Sequence, residues 1–348
     1  MKKQLLTLAV AITVIFSAHA QTDSTSTPLE ISGSVDAYFK YDFSKVANVP
    51  TSFASDQNSL SLGMVDIALK KSTGKASFVG EVSFGPRNDQ SVPTSGFHIQ
   101  NLYATYAFTD KFSMSAGYMG TFLGYEVISP AVNFNYSTSY MFTNGPFQNA
   151  GIKANYAISD KVGVMVGLFN TTDASSFFWN GYSADPSFGL SNFGAQVSIS
   201  PVEGWTAYLN VLTGYPAGTE FDLTTTYQIS DKFMLGLNAA DYSAPGSDNG
   251  GFTGFALYPQ VNITDGFALG LRGEYFSSKD DTNGFSISGV APGESVTALT
   301  LTANLKAGGF RLIPEFRLDN GSATQFLKEN GSATKSASQF SLAFVYAF

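Results

Sequence analysis

Cysteine is absent from the chain, which excludes a disulfide framework, a lipoprotein anchor on cysteine and a zinc–thiolate site. Histidine is scarce: His19 lies near the start, and the other histidine is His98. A Ser-His-Asp hydrolase would have to use His98, whose spacing indicates no hydroxyl partner. No catalytic, metal-binding or cofactor-binding residue is therefore predicted, and no cofactor is expected.

Charged residues are also few, and long apolar runs are absent after the first residues. Charged residues make up 13% of the chain, about half the usual share of a soluble domain. After Ala20 no apolar run approaches the length of a transmembrane helix. Phe and Tyr are abundant, at 31 and 17 residues. Such a chain either hides a large core or faces lipid through alternating strands, and without helices only a closed barrel satisfies its backbone in a bilayer.

The first residues have the pattern of a secretory signal peptide. Lys2 and Lys3 precede an apolar run from Leu5 to Phe16, and Ala18-His-Ala20 follows, so we predict cleavage after Ala20. A retained membrane anchor is the alternative. Without the two lysines, 17 basic residues face 27 acidic ones, a net charge of −10. That balance argues against a nucleic-acid partner.

A short polar leader, residues 21–28, precedes strands that alternate between apolar and polar residues. Ile31, Val35 and Phe39 oppose Asp36 and Lys40, and the same period recurs to the end of the chain. Seven short turns separate strand pairs, at 72–74, 109–111, 159–161, 202–204, 230–232, 264–266 and 307–309. Longer polar segments alternate with them, at 43–58, 85–96, 119–147, 170–190, 214–218, 242–250, 277–295 and 319–336.

This alternation of short and long connections is typical of outer-membrane barrels, with short periplasmic turns and long outer loops. It predicts a single all-β domain over residues 29–348, an antiparallel up-and-down barrel of sixteen strands with both termini periplasmic. One missed or invented hairpin would give fourteen or eighteen strands. A soluble β-sandwich is the competing fold.

The last strand carries aromatic and apolar residues on one face. They are Phe340, Leu342, Phe344, Tyr346 and Phe348. An outward face of this kind, ending in Phe, indicates contact with outer-membrane lipid and an assembly signal for the barrel-assembly machinery.

With apolar residues directed at lipid, charged residues fall on the inner face. The pore-lining candidates are Asp36, Lys40, Asp66, Lys70, Glu81, Lys153, Arg272, Glu274, Arg311, Glu315 and Arg317. A charge at the lipid midplane costs about 2–4 kcal/mol, which enforces the inward placement. The alternative is that these residues pair and plug the interior, and part of the Arg and Glu cluster can neutralise itself.

Sixteen strands leave an aqueous channel unless a segment enters it. The third long loop, residues 119–147, is the longest connection and is rich in Tyr, Phe and Asn. We expect it to fold inward and constrict the pore, although it could instead cap the outer mouth. The constriction candidates are Tyr125, Glu126, Asn133, Asn135 and Tyr136.

Several stretches resemble the putative β-barrel porin-2 family, also called OmpL-like. They are Leu29–Tyr41, Asn101–Tyr106 leading into Ser115–Gly120, and Gly124–Pro130 followed by Asn133, Tyr136-Ser137, Tyr140-Met-Phe142, Pro146 and Gly151. The resemblance covers roughly residues 29–160, with agreement of pattern downstream. It implies a channel-type barrel in the outer membrane of a Gram-negative bacterium, and no catalytic residues.

The sequence therefore predicts a porin-like channel for passive diffusion of small hydrophilic solutes, and not an enzyme. Rings of charged side chains would set its selectivity. The alternatives are a non-conducting surface barrel for adhesion or partner binding and, less favoured, a barrel enzyme. The sequence does not distinguish a monomer from a homo-oligomer, because an oligomer interface would look like any other apolar outer face.

Overall fold

The structure is a computed structural model that describes residues 26–92, 96–170, 189–215, 217–245, 250–280, 287 and 289–348. The predicted signal peptide and most of the predicted leader lie outside these residues. The end of the leader is described, and there Ser26 forms an isolated bridge with Thr73. Within the described residues, no helix has the length and apolar character needed to cross a membrane.

The chain forms a closed antiparallel barrel of sixteen strands, as predicted. Its strands are β1 (Glu30–Asp42), β2 (Ser59–Thr73), β3 (Ala76–Phe84), β4 (Ile99–Ala107), β5 (Phe112–Gly120), β6 (Gln148–Ser159), β7 (Val162–Phe169), β8 (Asn192–Ile199), β9 (Trp205–Gly214), β10 (Gly218–Gln228), β11 (Phe233–Ser243), β12 (Gly251–Thr264), β13 (Phe267–Ser278), β14 (Ser295–Ala307), β15 (Phe310–Gly321) and β18 (Ser336–Ala347). Strands that follow one another in this series are hydrogen-bonded neighbours, and β15 pairs with β18. Two further strands, β16 (Phe326–Leu327) and β17 (Ala333–Thr334), pair only with each other, within the connection from β15 to β18.

Strand β18 shows why this sequence forms a barrel wall. Successive side chains of a strand point to opposite faces. Phe344 and Tyr346 are 36% and 46% exposed on the outer face, whereas Ala343 and Val345 are 0% and 1% exposed on the inner face. Large apolar residues outside and small or polar residues inside are the pattern that lipid on one side and a polar lumen on the other require.

The barrel closes between its first and last strands. Strands β1 and β18 are antiparallel neighbours, with Val35 opposite Tyr346. Just beyond the end of β18, the amide of Gly33 donates to the Phe348 carbonyl at 3.1 Å, and the amide of Phe348 donates to the Gly33 carbonyl at 3.0 Å. A closed sheet has no edge strand, so the barrel's backbone groups find partners without water.

Short turns and long loops alternate around the barrel, as predicted. The short turns are 74–75, 108–111, 160–161, 200–204, 229–232, 265–266 and 308–309, all at the end that carries both ends of the sheet. The connections at the other end span 43–58, 85–98, 121–147, 170–191, 215–217, 244–250, 279–294 and 322–335. Almost all of the loop predicted at 170–190, and parts of four others, lie outside the described residues. The segment 214–218, predicted as a long loop, is a tight connection because β9 and β10 both extend into it. Gly218 begins β10 with a φ of 88°, a conformation that glycine adopts without strain.

Two short helices lie in the loops, where the sequence showed no helical period. The helix α1 (Pro86–Ser91) begins with Pro at its first turn, where the missing amide costs nothing. The helix α2 (Tyr140–Asn144) is capped by Ser139, whose side chain accepts a hydrogen bond from the amide of Phe142. Both helices are too short for an amphipathic period to appear in the sequence.

Candidate functional site: the lumen and its inserted loop

The connection between β5 and β6, residues 121–147, is called loop 3 here; the sequence placed its start two residues earlier, at 119. Its middle is enclosed by the barrel. Thr138 and Tyr140 are 0% exposed and Tyr136 is 1% exposed, and all three form hydrogen bonds with the barrel wall or another loop. The middle of loop 3 is therefore packed against the barrel wall.

Two glutamates of the wall hold the backbone of loop 3. Glu315, on β15, accepts hydrogen bonds from the amides of Tyr136 and Ser137 at 2.9 and 3.1 Å. Glu274, on β13, accepts from the amides of Tyr140 and Met141 at 3.0 and 2.9 Å. An irregular segment buried in a barrel needs external partners for its amides, and a carboxylate supplies strong, charge-assisted ones.

Two arginines hold the carbonyl groups of the same segment. Arg272 pairs with Glu126 of loop 3 at 2.7 Å and donates to the Ser137 carbonyl at 2.6 Å. Arg317 pairs with Asp319 at 2.7 Å and donates to the Thr138 carbonyl at 2.8 Å. Both guanidinium groups are fully buried. Removing one partner of such a pair would leave a buried charge unpaired. The Arg272–Glu126 pair and the hydrogen bond from Arg317 to Thr138 therefore hold the loop in position.

Loop 3 is also held by β1 and β2, which follow β15 and β18 around the closed barrel. Asp36 accepts from the Tyr136 hydroxyl at 2.6 Å, and Asp66 accepts from the Ser129 hydroxyl at 3.0 Å. Arg311, on β15, donates to the carbonyl of Pro130. Burial raises the pKa of Tyr136 well above the ordinary value of a phenol, so the hydroxyl stays protonated and donates to Asp36. Loop 3 is thus fixed to several strands at once.

The predicted constriction residues all lie in loop 3 but have different contacts. Tyr125 stacks on the ring of Tyr258 with ring centroids 4.2 Å apart. Asn135 donates to the Thr302 hydroxyl at 2.6 Å. Asn133 instead stabilises the loop internally, since its amide group binds both the amide and the carbonyl of Val127.

The predicted pore-lining residues all lie on the inner face, and they divide into two sets. Those whose side chains bind loop 3 are Asp36, Asp66, Arg272, Glu274, Arg311, Glu315 and Arg317. Lys40, Lys70, Glu81 and Lys153 form no hydrogen bond to loop 3 in the described part of the chain. Lys40 is buried, whereas Lys70, Glu81 and Lys153 are partly exposed, and Glu81 accepts from the Asn101 amide at 2.6 Å.

Two residues that the sequence analysis missed also hold loop 3. Asp222, on β10, accepts from the amide of Gly124 at 3.1 Å. The inward alternation of Glu220, Asp222 and Thr224 was the signal that could have revealed it. Arg87, in α1, lies over the rings of Phe53 and Tyr136 at 4.6 and 5.0 Å and donates to the Ile128 carbonyl at 3.2 Å. A lone arginine in a polar loop gave no comparable signal.

His98 lies at the outer rim and has structural contacts. Its ring packs on Phe84 with centroids 4.3 Å apart, and its Nδ1 lies 3.2 Å from the Asn88 side-chain nitrogen. Among the residues that the structure describes, no group of three or more His, Cys, Asp or Glu side chains is placed to hold a metal ion.

A closed sixteen-stranded antiparallel barrel, apolar outside and polar inside, with turns at one end and loops at the other, is an outer-membrane β-barrel of the porin type. The chain belongs to the family described as "putative beta-barrel porin-2, OmpL-like", whose model matches residues 28–348. The resemblance inferred from the sequence is therefore confirmed. No curated protein sequence matches the chain.

Solved structures share this fold at low sequence identity. The outer-membrane channel DcaP of Acinetobacter baumannii is 14% identical, with a TM-score of 0.62 over 92% of this chain and 97% of that chain. An anion-selective porin from Comamonas acidovorans is 11% identical, with a TM-score of 0.62 over 93% and 100%. OmpT of Vibrio cholerae, in a trimer form, is 12% identical, with a TM-score of 0.58 over 94% and 100%.

Proposed function

We propose that the protein is an outer-membrane channel for passive diffusion of small hydrophilic solutes, and that loop 3 constricts its pore. The observation that carries the proposal is the position of loop 3 inside a sixteen-stranded barrel, where side chains of β1, β2, β13 and β15 hold it. A barrel of this strand number has a lumen that wall side chains alone do not fill. A loop that is held in a fixed position inside that lumen would make the passage narrower.

Selectivity would come from the charged side chains that loop 3 leaves accessible. Lys70, Glu81 and Lys153 are partly exposed on the inner face of β2, β3 and β6. The ion pairs Arg272–Glu126 and Arg317–Asp319 are buried next to loop 3 and keep a fixed distribution of charge. Charged groups on both sides of a narrow passage orient polar solutes and favour one sign of ion.

The proposal is tested by single-channel recording with the purified barrel in planar bilayers. We expect discrete conductance steps, and a larger step when residues 127–138 of loop 3 are replaced by a short Gly-Ser linker. Protein that inserts correctly and never gives steps would contradict the channel. It would favour the non-conducting surface barrel, for which the dense hydrogen bonding of loop 3 to the wall is the supporting observation.

No catalytic role is part of the proposal. His98 is engaged by Phe84 and Asn88 at the rim, and the family is one of porins. We expect neither lipid nor peptide hydrolysis from the purified protein, and His98→Ala should leave conductance unchanged. Hydrolysis that is lost in His98→Ala would instead support a barrel enzyme.

Export and assembly belong to the same proposal. We propose cleavage after Ala20, so the purified protein should begin at Gln21 when its amino terminus is sequenced.

Phe344, Tyr346 and Phe348 are exposed on the outer face, which suits an assembly signal read by the barrel-assembly machinery. Deleting Phe348 should lower the amount of inserted barrel more than it changes conductance; normal insertion would contradict the assembly signal. The size of the same preparation in detergent distinguishes a monomer from a homo-oligomer.

A further inference from the structure

Two positive charges lie next to each other on the inner wall, near the end of the barrel that carries the short turns. Lys306, at the end of β14, is directly opposite Arg311, at the start of β15, in the pairing of these strands. Both side chains are on the inner face, because Leu305 and Phe310 are exposed on the outer face. Like charges directly opposite each other in a sheet repel and destabilise it, so this pair requires a counter-charge.

The wall around this pair does not supply that counter-charge. In the part of the chain that the structure describes, neither side chain forms an ion pair, whereas Arg272 and Arg317 each pair with a carboxylate. The neighbouring inner-face residues are uncharged. They are Asn304 on β14, Ile313 on β15 and Val345, which is opposite Arg311 on β18.

The carboxylates nearest to the pair in strand register are already engaged. Glu315 lies four residues from Arg311 on β15, a distance of about 13 Å along a strand, and accepts from two amides of loop 3. Asp36 lies two strands away, about 10 Å across the sheet, and accepts from the Tyr136 hydroxyl and from a backbone amide. Neither carboxylate forms an ion pair with Lys306 or Arg311.

The two cations keep donors that nothing in the described residues uses. Arg311 is 6% exposed and donates through one Nη atom to the carbonyl of Pro130 in loop 3, which fixes the guanidinium group. Its Nε and other Nη atom have no partner in the described residues and are not closed off from solvent. Lys306 is partly exposed beside them. A fixed guanidinium fork with an ammonium group beside it suits the oxygens of a carboxylate or a phosphate.

We propose that Lys306 and Arg311 bind the anionic group of a solute, a carboxylate or a phosphate, where loop 3 meets the wall at Pro130. The bound anion supplies the missing counter-charge and offsets the repulsion between the two cations. The inference rests on the channel function proposed above and narrows its solutes to small anions, since basic side chains that line a pore favour anions.

Binding is tested first without conduction, on the full-length barrel purified in detergent. Its unfolding temperature is measured in millimolar sodium phosphate, in sodium acetate and in sodium chloride of equal ionic strength. We expect a saturable rise with phosphate. Acetate should give a rise if a carboxylate is also bound, and no rise identifies phosphate as the preferred group. Because phosphate stabilises many proteins by exclusion from their surface, the quantity that decides is the difference between the unaltered protein and a variant.

The decisive variant is Lys306→Gln. Its unfolding temperature without phosphate should be unchanged or higher, because the repulsion with Arg311 is gone, and its rise with phosphate should fall to less than a third. Lys232→Gln is the matched control, since Lys232 is an exposed lysine in the turn 229–232 at the same end of the barrel. This control should keep the full rise. A lower unfolding temperature of Lys306→Gln without phosphate, or an undiminished rise, would overturn the proposal.

A second measurement separates this site from the channel itself. In planar bilayers with a potassium chloride gradient, Lys306→Gln should change the zero-current potential in the direction that indicates a greater preference for cations, whereas Lys232→Gln should not. Conductance steps without a phosphate-dependent rise would overturn the anion site and keep the channel. A rise that Lys306→Gln abolishes, without conductance steps, would support the site and contradict the channel.

Discussion

The two sides of the lumen carry charged residues in the same alternating pattern and use them differently. On β13 and β15, Arg272, Glu274 and Glu315 are almost completely buried, at 0–2% exposure, and bind loop 3. On β3 and β6, Glu81 and Lys153 are partly exposed and form no hydrogen bond to the loop within the described residues. Inward placement is common to both sides, so it is the path of loop 3 that determines the role of each residue.

This difference has an energetic meaning. A buried charge that holds a loop cannot be removed without leaving its partners unsatisfied, so changes on the β13–β15 side should affect stability and pore width together. A partly exposed charge that binds no part of the loop leaves no loop group unsatisfied when it is removed. Changes on the β3–β6 side should therefore alter ion selectivity and leave stability nearly constant.

The largest effect is expected from Arg272→Leu. The substitution leaves Glu126 buried without its partner, which costs about 3–5 kcal/mol of stability. We expect a lower unfolding temperature and a larger single-channel conductance, because loop 3 loses its ion pair. The double variant Arg272→Leu with Glu126→Leu should recover part of the stability. If the single variant unfolds at the original temperature, the ion pair does not hold the loop.

A smaller effect is expected from Glu315→Ala. The variant removes the acceptor of the Tyr136 and Ser137 amides, at a cost of about 1–3 kcal/mol for buried donors left unsatisfied. Glu315→Gln keeps one acceptor oxygen and should lose less. The unfolding temperature and the conductance are measured for both variants. If Glu315→Ala and Glu315→Gln lose the same stability, the two hydrogen bonds that the carboxylate accepts are not the cause of the loss.

On the other side of the lumen, Lys153→Glu should leave stability within about 0.5 kcal/mol and change selectivity. Lys153 is partly exposed and forms no ion pair in the described part of the chain. We expect the zero-current potential in a salt gradient to change in the direction that indicates a greater preference for cations. The change in Lys153→Gln should be intermediate. An unchanged potential together with a lower unfolding temperature would place Lys153 among the structural charges.

The smallest effect is expected where two outer loops meet in solvent. Lys45 and Glu329 form an ion pair at 2.6 Å, and both side chains are more than half exposed. The hydrogen bond to Glu329, together with its charge, raises the pKa of Lys45. Any stabilisation is therefore present at neutral pH and is lost as the pH rises through that raised pKa. Glu329→Gln should leave the unfolding temperature at pH 7 unchanged; a clear decrease would show that the pair holds the loops together.

The sequence was sufficient to predict the barrel, its strand number and the side of each strand that faces lipid. The reason is physical: a period of two and the cost of a charge in lipid leave one arrangement for β1 or β18. The expectation that loop 3 folds inward came from its length and composition, with a cap over the outer mouth as the alternative.

The contacts of loop 3 could not be predicted in the same way. Glu126 pairs with Arg272, which lies 146 residues further along the chain, and an irregular backbone has no period from which such a partner follows. The backbone acceptors Glu274 and Glu315 look identical in sequence to a water-facing residue such as Glu81. The helix α1 and its Arg87 were missed because six residues are too few to show a period.

The hydrogen bonds between Gly33 and Phe348 impose an order on folding. These contacts join positions separated by almost the whole chain, so their loop-closure entropy is the largest of any strand pair. Neighbouring hairpins can form while the chain is still being delivered, but the seam between β1 and β18 forms only after the last strand arrives. Until then the first strand has an unpaired edge that must be shielded from other chains, and the final strand pairing converts an aggregation-prone intermediate into the closed barrel.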